Sequence, residues 1–96
     1  MLVKSIGINL DSVADRHQLL KALNQDVFPS LQRDRGLLNV TVLDFEESGL
    51  MSILSFDDAL IDDDLNLSEI FRRGATFRGL ELEEERFIER HHPVIA

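Results

Sequence analysis

The chain contains no cysteine, no tryptophan and no tyrosine in 96 residues. Without cysteine there are no disulfides and no thiol chemistry, which fits a reducing compartment. Phenylalanine, present six times, is left to supply the large aromatic side chains. Two prolines and five glycines are too few for a fibrous or disordered chain. No apolar run approaches the ~18–20 residues that span a bilayer. The start, Met1-Leu2-Val3-Lys4, lacks the basic flank and long apolar stretch of a signal peptide. A cytoplasmic protein without membrane contact is therefore expected.

Several chemical signatures are also missing. There is no Walker loop, no Gly-x-Gly-x-x-Gly, no Gly-x-Ser-x-Gly elbow and no His-x-x-x-His pair. Positive charge is scarce: ten Lys and Arg face eighteen Asp and Glu, for a net charge of −8. The deficit lies in one half. Residues 1–43 hold five basic and four acidic residues, whereas residues 44–96 hold five and fourteen. Such a chain repels nucleic acid and anionic lipid at long range, so neither is expected as a partner.

What is present is an order of patterns. Alternation over Val3 to Leu10 predicts a strand with Leu2, Ile6, Ile8 and Leu10 on one face, interrupted by Lys4. Ser12, with Asp15 three residues on, resembles a capping box before a long amphipathic helix through Arg33. Its stripe contains Leu19, Leu23, Val27 and Leu31, widened by Val13, Leu20 and Phe28. Pro29 lies inside the stripe and predicts a kink or break, and Gly36 ends the element. Leu37 to Phe45 and Leu50 to Phe56 read as two strands joined by Glu46-Glu47-Ser48-Gly49. Asp57-Asp58 offers a cap for a short helix to Ile61, and Ser68 a cap for a second helix with Leu67, Ile70, Phe71 and Ala75 on one side. Leu80 to His92 is assigned as the last strand because the preceding order requires one, although Glu83-Glu84-Glu85-Arg86 favours helix.

Strand, helix, strand, strand, helix, strand is the order of an α+β ferredoxin-like domain, here a single one over residues 1–96. Apolar residues occur on both faces of the two middle strands. Two helices cover one face, and a second copy of the chain is the simplest cover for the other.

The candidate chemistry is sparse. Asp62, Asp64, Asn66 and Ser68 begin like a calcium loop, but Leu67 and Arg73 occupy the positions that need Gly and Glu, so no metal site is expected. His17 has no second ligand nearby in sequence. Adjacent His91 and His92 point to opposite sides of a strand. Arg72, Arg73 and Arg78 form the densest positive cluster. They either grip a carboxylate or phosphate or pair with neighbouring acids, and pairing is the favoured reading. Small polar residues on the strands, Ser5 with Asn9 and Asn39 with Thr41, line a pocket or a subunit contact.

Asp26-Val27-Phe28-Pro29-Ser30-Leu31, then Gly36-Leu37, the strand pair with its Glu-rich turn and Ser55-Phe56-Asp57-Asp58-Ala59-Leu60 together resemble the antibiotic-biosynthesis-monooxygenase-like group. The resemblance extends to about residue 77 as a tolerant pattern. It implies a ferredoxin-like unit that pairs through its sheet into a dimeric α/β barrel. It also implies a small apolar or aromatic ligand, held in a cleft between sheet and helices. Some members oxidise aromatic molecules without metal or flavin, and others degrade haem. Phe56 stands where members commonly carry Trp, and no His falls between Asp57 and Gly79 to ligate haem. The expectation is a homodimer without a cofactor. It is either a monooxygenase-like enzyme or a non-catalytic dimerisation or ligand-sensing module. Asn9, Asn39 and His91 are the candidate catalytic groups, and Arg72 and Arg73 the candidate ligand-binding groups.

Overall fold

The computed structural model describes residues 1–45, 48–57 and 65–93. The order is β1 (Leu2–Asn9), α1 (Val13–Ala22), a π turn (Leu23–Val27), α2 (Phe28–Asp34), β2 (Leu37–Phe45), β3 (Gly49–Phe56), α3 (Leu67–Phe77), a 3₁₀ turn (Glu84–Arg86) and β4 (Phe87–His92). The four strands form one antiparallel sheet in the order β2-β3-β1-β4. Each helical connection therefore skips one strand, giving two interleaved split βαβ units. This α+β arrangement is compatible with a ferredoxin-like fold.

Alternation decides which residues meet the helices. Ile6, Ile8 and Leu10 of β1 and Leu50, Leu54 and Phe56 of β3 point to the covered side and are buried. From the helices, Leu19, Leu23, Phe28, Leu31 and Phe71 complete the core. Phe28 and Phe71 meet edge to face at 5.9 Å, which ties α2 to α3. Gly74 lets α3 lie close against the π turn, because a Cβ there would lie 2.5 Å from Val27 Cγ2. Together these side chains form one buried cluster between the sheet and the helices.

The caps follow the sequence in one case and depart from it in another. Ser12 Oγ accepts from the Asp15 amide at 3.3 Å. At α3 the cap is Asn66, whose side chain accepts from the Glu69 amide at 3.1 Å. Ser68 lies inside the first turn, where its amide and hydroxyl both donate to Glu89.

Pro29 does not break the long helix. The Phe28 amide donates to the Leu23 carbonyl, a five-residue step that widens the helix just ahead of the proline. A π turn gives the proline ring room against the carbonyl four residues back while both flanks continue. Val13 is exposed rather than part of the apolar stripe.

The last strand is shorter than the expected Leu80 to His92 and begins at Phe87. The acidic run before it forms a single 3₁₀ turn, as its helical propensity favours. Gly36 takes the left-handed conformation, with φ 72°, at the end of α2. Of the short helix expected after Phe56, residues 58–61 lie outside the described residues, as do the acids Asp62 to Asp64.

Candidate functional site

The sheet has a second face that no described element covers. The registers arrange it in four rows across β4, β1, β3 and β2. The first row reads His92, Val3, Ser55, Asn39, and the next Arg90, Ser5, Ile53, Thr41. The third reads Ile88, Gly7, Met51, Leu43, and the last places Asn9 and Gly49 beside Phe45. Polar groups thus gather at one end of the face and apolar ones at the other.

At the apolar end Ile88 is 59% exposed, Phe45 49% and Leu43 41%. Gly7 has no side chain, so a shallow groove of about 170 Å³ opens between Phe45, Met51 and Ile88. Large apolar side chains grouped on an open face, rather than scattered singly, mark an interaction surface.

At the polar end Ser5 is buried although it points to the open side. Its Oγ shares a 2.6 Å hydrogen bond with His92 Nε2. Arg90 is the register partner of Ser5 on β4 and is exposed. It has no carboxylate partner among the described residues. The sequence sets His91 and His92 on opposite sides of a strand and does not single out Arg90. The period-two spacing of Ile88, Arg90 and His92 was the available signal, obscured by the uncertain start of the strand.

The other candidates lie apart from one another. Asn9 pairs with Gly49 and Asn39 with Ser55, at opposite ends of β3. At ~3.4 Å per residue the separation is roughly 20 Å. His91 pairs with Lys4 and points by alternation to the helix side. Within one chain the three candidate catalytic residues are not brought together.

Arg72 and Arg73 lie on α3, and both bond the Glu69 carboxylate, at 2.8 and 3.0 Å. These contacts, the Arg72 hydrogen bond first, hold the Glu69 carboxyl below its ordinary range. Arg78 donates twice to Asp26, at 2.7 and 3.0 Å, and lowers that carboxyl too. The cluster is thus paired with acids, as the sequence reading favoured. Arg73 also walls a trough of about 640 Å³ between the π turn, α2 and α3. Arg72 Nε is buried with no hydrogen-bond partner among the described residues.

Two anchoring groups on the covered side also escaped the sequence reading. Lys4, the apparent interruption of β1, sends its ammonium to Glu89 at 2.8 Å and to the Leu65 carbonyl at 3.0 Å. Burial pushes the Glu89 carboxyl up, but the Lys4 and Ser68 donors outweigh it and hold it below its ordinary value. Arg16 is buried, donates to the Leu10 carbonyl at 3.0 Å and approaches Asp44 at 3.6 Å. These contacts tie β1 to β4 and, through Ser68 and Arg16, tie the sheet to α3 and α1.

No cluster of three potential metal ligands occurs among the described residues. None of their helices is long and apolar enough to cross a membrane. Comparison of the chain with family models, with curated proteins and with solved structures returned no match.

Proposed function

We propose that the chain works as a homodimer through its open sheet face and holds a small apolar or aromatic molecule against that face. The observation that carries this reading is the cluster of exposed Leu43, Phe45 and Ile88 around the groove over Gly7. Leaving these side chains in water forgoes ~25 cal/mol per Å² of apolar area. A second copy stacked on the sheet recovers that stabilisation and closes a dimeric barrel. A ligand then sits against the sheet face, where the groove over Gly7 opens between Phe45, Met51 and Ile88.

The test is solution mass by light scattering over a dilution series. A mass near twice 10.9 kDa that falls to the monomer value in Phe45→Glu and Ile88→Glu supports the reading. A monomer at every concentration overturns it.

The catalytic form of this reading is cofactor-independent oxidation of an aromatic substrate. It requires Asn9, Asn39 or His91 to act next to the ligand. Asn39 belongs to the polar end of the face, so Asn39→Ala should abolish turnover while leaving the fold intact. The separation of the three candidates favours the alternative, a non-catalytic dimerisation or ligand-sensing module. That alternative predicts ligand binding with no turnover in the unaltered protein.

A further inference from the structure

The open face differs from the rest of the molecule in charge. The protein carries eighteen Asp and Glu, yet none stands at an open-face position of the four strands. The acids within the strands, Asp44 and Glu89, point to the helix side and are held there by Arg16 and Lys4. Asp57, just beyond β3, is already engaged. Arg90 therefore presents a full positive charge on a face whose described residues offer it no counter-charge. Beside it are the Ser5–His92 pair and, across the first row, Asn39.

Covering that face has a defined electrostatic consequence. A buried guanidinium without an anion is strongly unfavourable. A second copy of the chain stacked face to face brings another Arg90 and no open-face acid. With no open-face acid among the described strand residues of either copy, the anion falls to a third molecule. About 13 Å of sheet separates the Arg90 row from the Phe45 row, four residues along a strand. Over that length the surface changes from cationic and hydrogen-bonding to apolar.

We infer that the ligand of the open face is an amphiphilic anion: an alkyl or aryl body over Gly7, Met51 and Ile88, ending in a carboxylate that pairs with Arg90 beside Ser5 and His92. This inference rests on the open-face reading given above and specifies its ligand. The guanidinium fork receives a carboxylate through two parallel hydrogen bonds, which an alcohol cannot reproduce.

The experiment compares octanoate with octanol, using calorimetry for affinity and methyl NMR of Ile88 and Met51 for location. Octanoate should bind at least about tenfold more tightly than octanol, with both shifting the same methyl signals. In Arg90→Gln the preference should disappear while octanol binding persists. Arg90→Lys should restore part of it, and Arg33→Gln, a change on α2, should leave it intact. Equal binding of the two probes at Ile88 and Met51 overturns the anion assignment and leaves the apolar site standing. If neither probe shifts those methyls, the apolar site itself falls, and the anion assignment with it.

Discussion

The two faces of the sheet are built from the same strands but do different work. On the covered face Ile6, Leu54 and Phe56 are almost wholly removed from water. Its charged residues, Lys4 with Glu89 and Arg16 near Asp44, sit at the margins and have partners. On the open face the apolar residues remain in water and the one strand-borne cation, Arg90, is unpaired among the described residues. Pairing thus follows burial, as the cost of stranding a charge requires. The contrast also separates the two faces in stability: the covered face holds the fold, and the open face is left uncovered by any described element.

The sharpest way to break this contrast is to cut one large side chain from each face. Phe56→Ala on the covered side should cost about 3–5 kcal/mol in denaturant unfolding, because a fully buried ring leaves a cavity. A loss below 1 kcal/mol would show that the covered layer is not close-packed.

The next effect concerns charge on the covered side. Glu89→Gln should cost about 1–2 kcal/mol at neutral pH, discounted because both partners keep some contact with water. The Glu89 carboxyl is held below its unfolded value, so its contribution is present above about pH 4.3 and fades as the pH falls through the lower folded value. The unaltered protein should therefore lose stability on acidification below about pH 5 more steeply than Glu89→Gln. Parallel curves would remove Glu89 from the account.

Gly74→Ala is a smaller test of the layer above the core. The added methyl must displace the stiff Val27 side chain. Overpacking outweighs the gain in helix propensity, leaving a net loss of about 1 kcal/mol. Val27→Ala in the same chain should relieve it. Least affected should be the unfolding of the dilute monomer by Phe45→Ser on the open side, within about 0.5 kcal/mol. A loss as large as that of Phe56→Ala would mean the two faces are not distinct.

The parts of the fold visible in sequence were those set by periodicity. The alternation of β1 and β3 gave both faces, and the four-residue steps of Leu19, Leu23, Val27 and Leu31 placed the long helix against the sheet. What periodicity alone did not reveal depended on contacts distant in sequence. Lys4 looks like an error in an apolar strand until Glu89 and Leu65 are placed beside it. Ser68 looks like a cap until Glu89 draws on its hydroxyl and Asn66 takes the capping position. The start of β4 stayed hidden because Glu83 to Arg86 follow local helical preference up to the residue where pairing with β1 begins. Of the candidate site, Ser5, Asn9 and Asn39 were visible as polar interruptions. Arg90 and His92 emerged only when the register set them beside Ser5.

Gly7 gives the open face an adjustable depth. Its backbone is not in the left-handed region, and a Cβ added there would meet only the Ile88 and Leu50 carbonyl oxygens, at 4.0 Å. The position is thus a notch one side chain deep, in a strand whose backbone has room for a Cβ. Alanine, valine and leucine placed there in turn would form a ruler. The first of them to exclude a bound molecule would measure how closely that molecule lies against the sheet.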